Sequence, residues 1–243
     1  MDDPFVRSVV LKRDGIEDFE AYPFSIPAIR DLHELKLHPQ VTLFAGENGS
    51  GKSTLVEAIA VAAGFNAEGG SRNVTLSTRA SHSPLHKHLR LVRGTRRPRT
   101  GYFLRAESFF NVATYLERLE DPGALAPYGG RSLHEQSHGE SFISLLKHRF
   151  GPGGLYILDE PEAALSLGGN LALMRRMHDL VGEGSQFIVS THSPILLGYP
   201  DAKIYVLSGA GLTATPYEET EVVALTRSFL QDRGEFLHHL FDD

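Results

Sequence analysis

The residue types best suited to chemistry form a glycine-rich run between an apolar segment and a helical one. The run consists of Gly46, Glu47, Asn48, Gly49, Ser50, Gly51, Lys52, Ser53 and Thr54. Its glycines allow successive backbone N–H groups to turn inward around phosphate oxygens, and the following helix presents its positive end to the same anion. Lys52 would reach the β- and γ-phosphates, and the Ser53 hydroxyl would bind Mg²⁺. The run predicts a nucleoside triphosphate site, and its glycine order differs from that of dinucleotide-binding folds.

Two adjacent acids follow a second apolar segment. Residues 155–158 are apolar, and Asp159 and Glu160 come directly after them. Open α/β sheets bind ligands at the carboxyl ends of their strands, so this position suits both carboxylates. Asp159 would hold Mg²⁺ through a hydroxyl or a water, and Glu160 would act on the attacking water as general base or as orienter. The acid pair is a weak signal alone and a strong one beside the phosphate loop.

Apolar periodicity indicates the elements that position these groups. We expect strands at 6–12, 33–38, 41–46, 90–93, 101–104, 154–159, 186–191 and 203–208, and helices at 53–64, 108–120, 140–150, 170–182, 221–232 and 235–241. Residues 65–84 are predicted to form a loop, and 121–132 a turn-rich connection. The continuous apolar runs at 154–159 and 186–191 are typical of central parallel strands. Strands that alternate with helices indicate an α/β fold, and no linker divides the chain, so one domain over 1–243 is expected.

Composition excludes several classes of protein. The 243 residues are 41% apolar and 22% charged, which suits a folded core and excludes a disordered chain. The absence of cysteine excludes disulfides, thiolate metal sites and cysteine nucleophiles. There is no apolar run of about 18 residues and no signal-peptide pattern, so we expect a cytoplasmic protein without a transmembrane segment.

With three further segments, the phosphate loop and the acid pair resemble the ABC-type ATPases. Residues 136–140, which include Ser137 and Gly139, precede a predicted helix as the ABC signature does, although they differ from L-S-G-G-Q at three of five positions. Residues 161–166 resemble the D-loop, and residues 190–194 resemble the switch-histidine segment, with His192 as the histidine. The wording of residues 137–141 and of residues 190–194 resembles transporter subunits less than it resembles the stand-alone SMC-like and RecF-like ATPases, which act on DNA, in repair or in phage defence.

The resemblance implies a fold and a mechanism. The fold would be a P-loop NTPase of ABC-ATPase type, with a mostly parallel central sheet flanked by helices and an antiparallel N-terminal portion. A small helical subdomain would span about 108–150, and a loop-rich basic insertion 65–100. Two such chains would stack head to tail around two ATP molecules, so that Ser137 and Gly139 contact the partner's ATP. His192 would contact the γ-phosphate and the attacking water. Because no heptad run separates Lys52 from Ser137, coiled-coil arms are not expected.

Some roles implied by the resemblance stay open. The family's magnesium-contacting glutamine is absent, and Glu107 is the candidate for its place, with a helix-capping role as the alternative. Tyr22 and Phe24 precede the phosphate loop, where an aromatic often stacks on adenine, but either would also suit the core. An ATP hydrolase that dimerises with nucleotide and acts on DNA or a partner protein is the leading hypothesis. The alternatives are a transporter ATPase subunit and a nucleotide-binding switch with little turnover.

Charge is distributed unevenly along the chain. The net charge is −6, yet residues 72–105 contain nine Lys and Arg and no Asp or Glu. A solvated surface insertion is the usual explanation of such a run. Within it, Arg96, Arg97 and Arg99 surround Pro98 in what we expect to be an exposed turn. Such a turn would suit phosphates of DNA or RNA, with ATP phosphates or an acidic protein as competing targets.

Overall fold

The computed structural model describes residues 3–71, 83–106 and 138–242. Glu107, Ser137, the predicted helix at 108–120 and the predicted connection at 121–132 lie outside these ranges, as does most of the predicted 65–84 loop.

The described strands form two sheets. In chain order they are β1 (Val6–Leu11), β2 (Glu34–Lys36), β3 (Val41–Gly46), β4 (Leu89–Arg93), β5 (Thr100–Arg105), β6 (Gly154–Asp159), β7 (Gln186–Ser190), β8 (Lys203–Ser208) and β9 (Gly211–Ala214). The larger sheet has the order β5-β6-β7-β3-β8-β9, parallel except for the antiparallel edge pair β8–β9. The smaller sheet, β2-β1-β4, is antiparallel. The predicted α/β class and the antiparallel N-terminal portion are confirmed.

Helices cover both faces of the larger sheet. They are α1 (Pro27–Arg30), α2 (Lys52–Ala62), α3 (His138–His148), α4 (Leu167–Gly182), α5 (Pro194–Leu197), α6 (Glu221–Gln231) and α7 (Arg233–Phe241), with 3-10 turns at Pro84–His88, Pro161–Ala164 and Tyr217–Glu219. Strand β6 shows why both faces need cover, because all six of its residues are buried. Its Tyr156 and Leu158 pack into the core layer that contains α3 and α4 residues, whereas Leu155 and Ile157 pack into the layer that contains α1 and α2 residues. The alternation follows from the period of two along a strand.

The structure differs from the sequence prediction mainly at the ends of elements. Helix α4 begins three residues earlier than expected, because the Ser166 side chain caps it by accepting a hydrogen bond from Gly169 N. Gly168 and Gly169 lie in its first turn, so the apolar periodicity that indicates a helix is interrupted there. Strand β9 was not predicted, since only four residues pair at this sheet edge. The 3-10 turn Pro84–His88 was not predicted either.

None of the helices in the described ranges has the length and apolar character that crossing a membrane requires.

Candidate active site

The phosphate loop connects β3 to α2 at the carboxyl edge of the parallel strands. Two of its glycines are dictated by their surroundings. Gly46 has φ 140°, and a Cβ there would lie 2.2 Å from the carbonyl oxygen of Leu207. Gly51, which precedes the first turn of α2, has φ 97°, and its Cβ would lie 2.8 Å from Ile26 Cγ2. Only glycine fits these positions without displacement of neighbouring atoms, so the loop is held close against the sheet.

Lys52 lies inside this loop rather than in solvent. It is 3% exposed, and its Nζ donates hydrogen bonds to the carbonyl oxygens of Gly46 at 2.9 Å and Glu47 at 2.8 Å. Burial lowers the pKa of the Lys52 ammonium, and the charges of Glu160, Asp159 and Glu162 oppose that shift. The ammonium is therefore fixed at the centre of the loop by backbone acceptors.

Ser53 and Asp159, the two predicted magnesium ligands described here, are in direct contact. Ser190 Oγ donates to Asp159 Oδ1 at 2.5 Å, and the Ser53 hydroxyl also hydrogen-bonds the Asp159 carboxylate. Asp159 is 6% exposed, and burial raises its pKa while the two hydroxyls and Arg105 act in the opposite direction. The order β6-β7-β3 in the sheet explains the contact between Ser53 and Asp159, because it brings the ends of these strands together.

Glu160 and His192, the two predicted catalytic residues, also face each other. Glu160 Oε1 lies 3.3 Å from His192 Nε2, and each side chain is 36% exposed. The two atoms are within ion-pair distance, and Nε2 has no hydrogen-bond partner among the described residues. Glu160 has a left-handed backbone with φ 50°, and its N–H donates to the Ser190 carbonyl at 3.0 Å. A non-glycine residue held in this region stores strain of the kind found at functional sites.

Glu162 is a site residue that sequence analysis did not identify. Its Oε1 accepts a hydrogen bond from His192 N at 2.5 Å, and the Thr191 hydroxyl bonds it too. Burial raises the Glu162 pKa, and these two hydrogen bonds oppose the rise. Its sequence signals are its place in the D-loop-like segment 161–166 and its position two residues beyond the acid pair. The contact ties the turn after β6 to the segment after β7, and so fixes the backbone that carries His192.

The chemistry of these groups fits a magnesium nucleotide. Ser50 Oγ, His192 Nε2 and Glu162 Oε2 are buried side-chain atoms without hydrogen-bond partners in the described part of the chain. Buried polar atoms of this kind are normally satisfied, and phosphate oxygens and ordered water would satisfy them. The described ranges contain no group of three His, Cys, Asp or Glu able to hold a metal. Mg²⁺ takes one or two protein oxygens together with phosphates and waters, and the adjacent oxygens of Ser53 and Asp159 provide such a pair.

The two aromatic candidates have different surroundings. Phe24 is 8% exposed and packs edge-to-face on Phe19 and His88, so it belongs to the core. Tyr22 is 64% exposed, and its hydroxyl lies 3.1 Å from Thr54 Oγ1 in the first turn of α2. Tyr22 therefore remains the candidate for contact with a base.

The remaining predicted site residues lie around the loop and at the start of α3. Glu47, Asn48 and Gly49 are exposed at the tip of the loop, beside a cavity of about 310 Å³ that reaches from Gly46, Glu47 and His192 to α6. A Cβ at Gly139 would meet its nearest neighbour, the Ala164 carbonyl, at 4.0 Å. The beginning of α3 thus lies beside the 3-10 turn Pro161–Ala164.

The predicted basic turn lies at the other edge of the sheet. Its Arg96, Arg97 and Arg99 are exposed, and Arg99 N donates to the Gly153 carbonyl at 3.0 Å. Strand β5 starts next to this turn, with Thr100 paired to Gly154, and ends at Arg105, paired to Asp159. Five residues of strand span roughly 16 Å. Arg105, which the sequence places in the basic block, lies instead at the end of the sheet that carries Asp159.

Residues 16–104 match a family model described as an AAA domain, and the match includes the phosphate loop and all of β5 except Arg105. No curated protein matches the chain. The SMC head domain from Thermotoga maritima is 15% identical, with 87% of this chain and 98% of that chain covered and a TM-score of 0.43. An SMC head bound to the C-winged helix domain of ScpA is 12% identical, with the same coverage and a TM-score of 0.48. A nucleotide-free ATP-binding cassette from an ABC transporter is 19% identical, covers 82% of this chain and 87% of that chain, and has a TM-score of 0.43.

The family match covers the phosphate loop and the strand beside Asp159, and the remaining motifs follow in the order that the resemblance implies. Their strands stand next to one another in a parallel sheet. Residues 16–104 are thus similar to an AAA domain, and they contain the phosphate loop of an α/β fold with a mostly parallel sheet.

Proposed function

We propose that this protein binds ATP with Mg²⁺ and hydrolyses it. The observation that carries the proposal is the convergence of three pairs at one sheet edge. Lys52 lies within the phosphate loop, Ser53 contacts Asp159, and Glu160 faces His192. Phosphate binding, metal binding and activation of water are thus assigned to different side chains. Neighbouring elements of the fold contribute all of these side chains.

Each group has a physical role in this reaction. The loop N–H groups and Lys52 would hold the β- and γ-phosphates, and Ser53 and Asp159 would hold Mg²⁺. Bound magnesium supplies positive charge against the phosphate oxygens. Glu160 would orient the attacking water or accept its proton, and His192, at 3.3 Å, would support the same region. Glu162 would hold His192 in place through the backbone N–H.

The alternative of a switch with little turnover is less well supported. Nucleotide binding alone does not need a second acid beyond Asp159. Glu160 is nevertheless held in a left-handed conformation opposite His192. A strained backbone is retained where the surroundings enforce it, which favours a catalytic purpose for this carboxylate. No specific contact favours the transporter subunit over a hydrolase that works on its own.

Nucleotide-dependent, head-to-tail dimerisation is the second part of the proposal. It is supported by the start of α3 beside the turn Pro161–Ala164, together with the signature resemblance of residues 136–140. Ser137 and Gly139 would reach the γ-phosphate of a partner's ATP. We expect Glu160→Gln to accumulate an ATP-bound dimer in light scattering, and Ser137→Arg in the same background to remain monomeric, because its side chain would fill the phosphate position. Monomers throughout, at micromolar protein and saturating ATP, would contradict the dimer.

The basic turn is the proposed contact with a nucleic acid. Its arginines lie at the edge opposite the phosphate loop, so the ATP bound by the same chain is out of their reach. Exposed guanidinium groups hold phosphates without reading bases, which predicts binding that tolerates any sequence. An acidic protein is the competing target.

Phosphate release by the purified protein tests the function. We expect turnover of ATP that requires Mg²⁺ and rises when DNA is added. Tight ATP binding with no phosphate release under either condition would favour the nucleotide switch. Turnover that does not respond to DNA or RNA would leave the hydrolase intact and move the target to a protein.

A further inference from the structure

Three buried charged side chains lie behind the magnesium end of the site. Glu57 is on α2, Arg105 ends β5, and Asp159 ends β6, with side-chain exposures of 11%, 20% and 7%. Arg105 Nη1 donates to Glu57 Oε2 at 2.7 Å, whereas Arg105 Nε lies 3.7 Å from Asp159 Oδ2. The arginine therefore makes a close pair with one acid and a loose pair with the other.

The position of Glu57 connects this cluster to the phosphate loop. Glu57 follows Ser53 by four residues in α2, so both side chains lie on the same face of the helix. Its other oxygen, Oε1, accepts a hydrogen bond from Ser83 N at 3.3 Å. Bonded on both oxygens, the Glu57 carboxylate holds the guanidinium in a fixed place.

Arg105 and a magnesium ion would compete for the same carboxylate. Asp159 accepts hydrogen bonds from Ser190 and Ser53, and its Oδ2 faces Arg105. A guanidinium that closed from 3.7 Å to hydrogen-bond distance would add attraction equivalent to about tenfold in an equilibrium, at an effective dielectric constant of about 20. Such a pair would weaken the binding of any cation that needs Asp159 as a ligand.

We propose that Glu57 is a positioning residue that holds the Arg105 guanidinium back from Asp159 and so keeps the Asp159 carboxylate open to magnesium. The proposal rests on the proposed ATPase function. Glu57 would act through Arg105, whose guanidinium its Oε2 binds. The cluster makes the magnesium affinity of the site depend on a pair of residues outside it.

Binding of a nonhydrolysable ATP analogue, titrated calorimetrically with Mg²⁺ and with EDTA, tests the proposal. Its readout is the factor by which Mg²⁺ strengthens binding. We expect Glu57→Gln to lower that factor by roughly three- to tenfold with unchanged affinity in EDTA, because the amide holds the guanidinium less strongly. The double variant Glu57→Gln with Arg105→Gln should restore the factor, because no cation is left to compete. Glu183→Gln, an exposed acid at the opposite edge, is the matched control and should change neither affinity.

The outcomes separate the two proposals. If Mg²⁺ does not strengthen binding of the analogue to the wild-type protein, the proposed function and this proposal are both overturned. A wild-type gain that Glu57→Gln leaves unchanged, or that the double variant fails to restore, overturns this proposal alone. If Glu57→Gln lowers the affinity for the analogue equally with Mg²⁺ and with EDTA, the role of Glu57 is purely structural. This result would also overturn the present proposal. Glu57→Asp, which keeps the charge but shortens the reach to Arg105, should show the same direction if Glu57→Gln does not fold.

Discussion

The two edges of the parallel sheet both present positive groups, and they do so in opposite ways. At the carboxyl edge, Lys52 is buried, bonded to backbone carbonyls and surrounded by acids. At the amino edge, Arg97 and Arg99 are exposed, and the turn is anchored at Gly153 and, through both the backbone and the hydroxyl of Thr95, at Asp3. Hydrogen bonds from Thr95 are the main cause that lowers the Asp3 pKa to about 2.

The difference shows what each edge is able to recognise. A buried cation among fixed dipoles selects one phosphate geometry and is little screened by salt. Exposed arginines attract any polyanion, and their binding weakens steeply with salt because each neutralised phosphate releases counterions. One edge therefore suits a single small nucleotide, and the other suits an extended chain of phosphates.

The largest effect is expected for Lys52→Ala. Removing the buried ammonium should abolish tight ATP binding, because hydrogen bonds to charged groups contribute about 1.5–3 kcal/mol each and several are lost together. Arg97→Ala is the matched control, since it removes one positive charge at the opposite edge. Calorimetric titration should show near-wild-type ATP affinity for the control only. Unchanged affinity in Lys52→Ala would refute the assignment of the phosphate loop.

The opposite edge should respond to salt rather than to nucleotide. Replacing Arg96, Arg97 and Arg99 with Ala should weaken duplex DNA binding and reduce the slope of log affinity against log salt by up to about 3 units. ATP affinity should stay at the wild-type value. Fluorescence anisotropy across a salt series gives both quantities. No DNA or RNA binding by the wild type at low salt, with ATP and Mg²⁺ present, would remove nucleic acid as the target.

The smallest effect concerns the cost of burying acids at the carboxyl edge. The Glu162 pKa is raised from 4.5 by burial, so the folded state holds its proton more tightly than the unfolded state. Stability from this group is present below pH 4.5 and is lost as the pH rises through the raised value. Glu162→Gln stays neutral, so its melting temperature relative to wild type should rise by a few degrees from pH 5 to pH 8. A melting-temperature difference between variant and wild type that becomes smaller as the pH rises would contradict the raised pKa of Glu162.

Local pattern explains what the sequence could predict. The loop from Gly46 to Lys52 and the pair Asp159 and Glu160 are each contiguous in sequence, and each follows a short apolar run that indicates a buried strand. The alternation of strands and helices indicates a parallel sheet, but it does not determine the order of the strands within that sheet. Ser53 and Asp159 were each predicted to hold Mg²⁺, and in the fold the Ser53 hydroxyl hydrogen-bonds the Asp159 carboxylate.

Long-range contacts between charged residues were beyond sequence reasoning. Arg105 was counted as part of a solvated basic block, because nothing local shows that β5 lies beside β6 and ends at Asp159. Glu57 looks like an ordinary polar position of α2, yet it is buried against Arg105. Phe24 and Tyr22 could not be told apart, since burial depends on packing against Phe19 and His88.

Glu160→Gln tests the central claim, that the carboxyl edge is a hydrolytic site and not merely a binding site. The amide keeps the shape of the side chain but cannot accept a proton, and positioned general bases contribute about 10²–10⁴-fold. Phosphate release and ATP affinity are to be measured on the same preparations of wild type and variant. We predict turnover lower by at least about a hundredfold with ATP affinity unchanged. Wild-type turnover in Glu160→Gln would contradict the account and move the catalytic role to another residue.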